Sequence, residues 1–240
     1  MRVAILGLGL IGGSLAHALH ARAGTRWSVV AWTPSGDGPR AALAAGVIDE
    51  AAPDVASAVR RADLVVLAAP PLACLDLVAA LGGPLAGDLS SETVVTDVAS
   101  TKVAIVEEAH SGGLRFVGGH PMAGRETAGF EAADGSLFEG RPWVVVPSGD
   151  EAAIGRVEAL ATACGARPLR MDAARHDAAV AAISHLPLVL AAALVEAIAG
   201  PPGAARPGWV DAAPLAATGW SSMTRLARGD VTMGAQIAAT

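Results

Sequence analysis

Arg2-Val3-Ala4-Ile5-Leu6-Gly7-Leu8-Gly9-Leu10-Ile11-Gly12-Gly13-Ser14 decides the fold. The run Val3 to Leu6 has no polar alternation, so it predicts a strand buried on both faces. A helix pattern follows from Leu10, and the glycines at 7, 9 and 12 lie at the join. In such a turn Gly7 permits the tight bend, Gly9 lets the backbone approach a pyrophosphate, and Gly12 lets helix and strand close up. The first N–H groups of the helix, around Leu10 and Ile11, would face the phosphates. Alone, this spacing also fits a glycine turn with no ligand. The strand before it, the helix after it and the alternation beyond it favour a dinucleotide.

Working outward, apolar runs at residues 29–32, 64–68, 94–97, 116–119 and 143–146 predict further strands. Helix patterns at 10–22, 39–45, 55–61, 72–81 and 101–109 lie between them. Strands alternating with helices imply a parallel sheet covered on both faces. A helix at 151–164 and a strand at 167–171 extend this unit. Beyond Asp172 the pattern is helical only, with breaks at Gly200-Pro201-Pro202-Gly203 and near Pro207-Gly208. The expectation is an α/β fold: a Rossmann-type doubly wound parallel sheet over residues 1–171, then a smaller all-helical domain over 172–240.

The chain has 240 residues, 52% of them hydrophobic, enough to bury such a core. The net charge is −6 and the 17 basic residues are scattered, so no stripe for nucleic acid forms. Cys74 and Cys164 have no metal-ligand spacing; they suit a reducing, cytoplasmic compartment. The N-terminus resembles a signal peptide only until the glycines interrupt it. The most apolar later stretch, 178–200, contains His185, Pro187 and Glu196, and reads as a buried kinked helix rather than a membrane span.

An acidic residue about 20 positions beyond the last glycine would hold the adenosine ribose of NAD. Here the position belongs to Thr33, within Ala31-Trp32-Thr33-Pro34-Ser35. A carboxylate ~4 Å from a 2′-phosphate charge would cost on the order of 4 kcal/mol, so its absence favours NADP over NAD. Thr33, Ser35 and Arg40 supply donors, whereas Asp37 opposes them. Ala69 and Pro70, after the strand at 64–68, complete the expected cofactor-binding set.

Three further segments are unusual for simple packing: Thr96 to Lys102, Gly118 to Gly129, and His176-Asp177 with Ser184-His185-Leu186-Pro187. The first two follow strand ends, where ligands bind in open α/β sheets. Ser100 suits a helix N-cap as well as a site. Lys102 reads as facing the pocket or, preferred, as a solvated first-turn lysine, Asp97 as an acceptor for nearby backbone N–H groups, and His176-Asp177 as the start of their own helix.

With these motifs the chain resembles the prephenate/arogenate dehydrogenase family from Arg2 to about Ala239. Gly-Leu-Gly-Leu-Ile-Gly-Gly-Ser, Asp97-Val98-x-Ser100-x-Lys102, Gly118-Gly119-His120-Pro121-Met122-Ala123-Gly124, Ser184-His185-Leu186-Pro187 and Met223-Thr224-Arg225-Leu226-Ala227 stand in the family's order. The resemblance implies oxidative decarboxylation of a cyclohexadienyl acid with a nicotinamide cofactor, and a homodimer formed through the helical domain. It implies His120 as the proton acceptor with Ser100 beside it, and His185 and Arg225 as substrate-binding residues. Arg125 and Glu126 are further candidates for the substrate's charged groups; their bland alternative is an exposed loop ion pair. The bland alternative for His185 is a core histidine bonded to a carbonyl freed by Pro187.

The chain departs from the family's pattern at Trp220-Ser221-Ser222, where many members carry Phe-Arg-Asp, and at Leu188, where many carry histidine. The pattern also predicts helices beyond Thr240. Other readings are an enzyme for 4-amino-4-deoxyprephenate, a β-hydroxyacid or imine-reductase-like enzyme, and a non-catalytic nucleotide sensor, which would leave His120, His185 and Arg225 without a task.

Overall fold

A computed structural model describes residues 1–23, 27–125, 127–201, 203–229 and 234–235. The chain begins with β1 (Arg2–Leu6), α1 (Leu10–Ala23), β2 (Ser28–Trp32), α2 (Asp37–Ala44), β3 (Glu50–Ala51) and α3 (Val55–Val59). It continues with β4 (Leu64–Leu67), α4 (Pro71–Gly82), β5 (Val94–Asp97), α5 (Val103–Ser111) and β6 (Phe116–Val117). These six strands form one sheet in the order β3-β2-β1-β4-β5-β6, every pair parallel. The order reverses between β1 and β4, which opens a crevice at the carboxyl edge.

Side chains of a strand alternate between faces, and β1 divides its residues accordingly. Val3 and Ile5 join a core with Leu15, Leu19 and Ile154, while Ala4 and Leu6 join a second core with Val59, Val78 and Ile105. All four β1 residues are completely buried.

The run at 116–119 does not form one strand. It breaks at Gly118, whose carbonyl accepts from Val146 N, while Gly119 N donates to the Asp97 carboxylate. The chain turns there into β7 (Gly119–Pro121), which pairs antiparallel with β8 (Pro142–Val145). After α6 (Glu151–Ala163), β9 (Arg167–Arg170) pairs parallel with β8. The last strands therefore make a separate three-stranded sheet rather than extending the first. The two-residue β3 had no sequence signal.

The helical part opens with α7 (Ala173–Val180), a π-helical turn Ala181–His185 and α8 (Leu186–Ile198). Asp172, not His176-Asp177, caps α7 by accepting from Arg175 N. Pro187 lacks an N–H and sits in the first turn of α8, directly after the π turn. Short helices α9 (Trp209–Ala212) and α10 (Thr218–Thr224) follow, then a 3₁₀ turn, Arg225–Arg228. The helical ladder is interrupted by the π turn before Pro187, and the expected burial is absent. Ala191 is the one buried residue of α8, and Ile183, Leu186, Val189 and Leu190 are more than half exposed. By length and composition the stretch Ala173–Ile198 would be apolar enough to cross a membrane. Its first helix, α7, is however bonded through polar groups to the start of α5 and to β7.

Candidate active site

The carboxyl edge of β1, β4 and β5 gathers the glycine turn, Ala68–Pro70 and the segment after Asp97. Gly7 has φ +107°, and a Cβ there would lie 2.3 Å from the Ala68 carbonyl oxygen. A Cβ at Gly12 would lie 2.0 Å from the Gly7 oxygen, so neither position admits a side chain. A Cβ at Gly9 would meet nothing within 4 Å. The turn is thus closed toward the protein and open on its outer side, and the N-terminus of α1 begins at Leu10 with Ile11. That is the shape a pyrophosphate requires. Ala69 and Pro70 lead from β4 into α4 on the same edge, with Pro70 at the cap of α4.

At the ends of β2 and β3 a shallow cavity of about 320 Å³ is lined by Thr33, Ser35, Gly36, Arg40, Ala51 and Pro53, among others. Thr33 Oγ1 accepts from Gly36 N and Ser35 Oγ from Asp37 N, which shapes the loop. Arg40 donates to Asp37 at 2.5 Å, with both side chains mostly exposed.

The segment after β5 holds a buried ionic group. Asp97 is fully buried; its oxygens accept from Ala99 N and Gly119 N, each at 3.0 Å, and from the Lys102 ammonium. Lys102 is also fully buried, which overturns its reading as a solvated lysine. The reason is the charge beside it: an ammonium enters a core only against an opposite charge. Helix α5 begins at Val103, with Lys102 at its cap, so Ser100 is not the cap either. Ser100 lies on the bend two residues upstream, partly buried.

The cap of α5 comes from the other domain. Asp177 of α7 accepts from Lys102 N through Oδ1 and from Val103 N through Oδ2, both at 2.8 Å. Asp177 Oδ1 also lies 2.7 Å from His176 Nδ1, and His176 Nε2 lies 2.8 Å from Nδ1 of His120 on β7. His176-Asp177, expected to start α7, instead face the nucleotide-binding half. Their sequence signal was a His-Asp pair on a short, alanine-rich helix.

These contacts set the ionisation of the cluster. Burial, then the charge of Lys102, then His176 and His185 push His120 well below its ordinary value of 6.5; Asp177 works weakly the other way. Burial raises Asp177, but hydrogen bonds from His176, Val103 N and Lys102 N outweigh it and hold the carboxyl below its ordinary range. His185 is lowered chiefly by burial. Its Nε2 is buried without a hydrogen-bond partner among the described residues, which removes the reading of a core histidine satisfied there by a freed carbonyl.

The remaining expected residues lie farther out. Arg125 donates to Asp134 at 2.5 Å, and Asp134 N donates to Ser14 Oγ of α1, so the loop after β7 is tied down over the nucleotide-binding helix. Glu126 lies outside the described residues. Arg225 opens an exposed 3₁₀ turn that packs against α8, the helix following His185.

The comparisons agree with this geometry. Residues 15–169 match the family model for the prephenate dehydrogenase nucleotide-binding domain, and residues 172–240 match that for the prephenate dehydrogenase dimerization domain. A prephenate dehydrogenase of Bacillus subtilis is 35% identical over 199 residues, covering 80% of this chain and 52% of the relative. The chain spans about half the length of the curated relatives it matches. Among solved structures, prephenate dehydrogenase from A. aeolicus in complex with hydroxyphenyl propionate and NAD+ superposes with TM-score 0.87 and 28% identity, over 100% of this chain and 82% of that one. The arogenate dehydrogenase of Synechocystis gives TM-score 0.78 and 32% identity, over 100% and 83%. Two consecutive family models cover nearly the whole sequence, and the chain belongs to the prephenate dehydrogenase family.

Proposed function

We propose that this protein oxidatively decarboxylates prephenate or arogenate on the route to tyrosine, with hydride transfer to NADP+ in preference to NAD+. The observation that carries the reading is His120. It stands beside the carboxyl edge of a dinucleotide-type sheet, is shifted toward the neutral form, and is bonded to the helical domain. In such a substrate the C1 carboxylate leaves as CO₂, its bonding electrons enter the ring, and a hydride leaves C4. A bound nicotinamide supplies the hydride acceptor. His120 takes the proton of the C4 hydroxyl as the hydride leaves, with Ser100 beside it, and returns it to the phenolate oxygen formed when CO₂ departs; such base catalysis supplies ~10²–10⁴-fold. Holding the ring in register contributes more, about 7–11 kcal/mol. That task falls to His185, to Arg225 as the carboxylate fork, and to Arg125 and Glu126 at the substrate's outer groups.

Thr33, Ser35 and Arg40, with no carboxylate at position 33, support NADP. The exposed apolar face of α8 supports a homodimer in which a second copy covers it. The two buried thiols, Cys74 and Cys164, fit a cytoplasmic enzyme.

The test is reduction of each nicotinamide cofactor by the purified protein with prephenate, arogenate and 4-amino-4-deoxyprephenate in turn. Turnover with one of the first two is expected. No reduction with any of the acids would leave a nucleotide-binding protein without this chemistry.

A further inference from the structure

With Asp177 ionised and His176 neutral, the contacts around His120 run in one direction. An ionised carboxylate has no proton to donate, and both Asp177 oxygens already accept backbone N–H groups. The proton in its 2.7 Å contact therefore sits on His176 Nδ1. A neutral imidazole with hydrogen on Nδ1 has its lone pair on Nε2. The 2.8 Å contact to His120 then places a hydrogen on His120 Nδ1. The two rings meet edge-on at an interplanar angle of 77°. His176 is 1% exposed, so bulk water does not replace either partner.

We propose that His176 and Asp177 are positioning residues for His120: together they fix its ring in the tautomer whose Nε2 carries the lone pair. The proposal rests on the reading that His120 accepts the substrate proton. It adds a reason why that ring is ready to do so before substrate arrives. The other groups facing His120 are Lys102 at the cap of α5 and His185 on the π turn, with Asp97 held to the adjacent Gly119. Because the same Asp177 carboxylate caps α5, one side chain of the helical domain both docks that domain and orders the proton acceptor of the other.

Two measurements test this. In the wild-type protein with ¹⁵N-labelled imidazoles, His120 Nε2 is expected to give a pyridine-type resonance and Nδ1 a pyrrole-type one. The reverse assignment overturns the proposal whatever the enzyme turns over. In kinetics, His176→Leu is expected to lower kcat about 100-fold, within the range of general-base catalysis. KM for the acid should stay within about twofold and the acid limb of the kcat profile should shift, because a partner of the base is lost. His176→Gln, whose amide oxygen can accept from His120 Nδ1–H, should restore kcat to within about tenfold of wild type. Unchanged kcat and pH profile in His176→Leu, in an enzyme that His120→Asn inactivates, would discard the positioning role of His176 and leave the role of His120 standing. A wild-type enzyme inactive on every acid would discard that role, while the resonances still report the tautomer.

Discussion

The two halves of the chain differ in how much they bury. In the nucleotide-binding half the interior is largely apolar around one buried pair, Asp97–Lys102: four consecutive β1 residues are sealed, and both faces of the sheet are covered by helices. In the helical half, among the described residues beyond Met171, only His176, Val180, Ala191 and Thr224 are buried, while Ile183, Val189, Leu190, Val210, Leu215 and Met223 face outward. Contiguous exposed apolar surface on a folded chain marks an interaction site. The helical half turns polar groups toward its own chain and leaves apolar ones exposed. It is joined to the nucleotide-binding half by a polar seam.

The seam is where the comparison breaks most sharply. His120→Asn should lower kcat by about 10²–10⁴-fold and leave cofactor affinity unchanged, since the glycine turn is not touched. Intact turnover would detach the seam from the chemistry. The pH dependence has a definite sign. The active form is unprotonated and its pKa is depressed, so kcat should hold as pH falls past 6.5 and decline only at the lower value. Lys102→Met removes a charge that depresses His120, so the acid limb should move to higher pH. It also strands Asp97 in a dry site. Removing one partner of a buried pair typically costs about 3–5 kcal/mol, and chemical denaturation would measure it. A stability loss as small as that of a surface substitution would show that the buried Lys102–Asp97 pair does not brace the start of α5 on which the seam rests.

The apolar face tests the other side of the contrast. Leu190→Asp sits at a position 59% exposed within the chain, so the fold of the single chain should be little changed. If a second copy covers this face, burying an unpaired charge there should weaken self-association by roughly 100-fold or more. Sedimentation equilibrium would show a shift toward monomer; an unaltered association constant would remove α8 from the interface.

The same contrast explains what was legible in the sequence. The parallel sheet was plain because strands buried on both faces are uniformly apolar, and the glycine turn because Gly7 and Gly12 have no room for a Cβ. The second sheet was not, because the break at Gly118 depends on Asp97 reaching Gly119 N across 22 positions. Lys102 was misread for a related reason. A lysine near the start of a helix is ordinarily solvated, and only the fold brings Asp97 beneath it and Asp177 over its backbone. Asp177 and Lys102 are 75 positions apart; no local pattern encodes a cap supplied from another domain. Nor does the apolarity of 178–200 say whether its own chain or another one covers it.

The smallest expected effect lies at the far end of the nucleotide-binding half, in the cavity between β2 and β3. There Arg40 is engaged by Asp37, and because both are mostly exposed the pair is worth little and can be exchanged for a phosphate. A guanidinium meeting a 2′-phosphate gains a charge-assisted, bidentate contact that a ribose hydroxyl does not offer. Arg40→Ala should therefore lower kcat/KM with NADP+ by about tenfold, on the order of one charged hydrogen bond, and barely alter it with NAD+. Asp37→Ala should move the ratio the other way, by relieving a like charge close to the phosphate. Equal losses with both cofactors would make Arg40 a loop brace rather than a phosphate ligand, and a wild-type preference for NAD+ would show that the missing carboxylate at Thr33 does not select the cofactor.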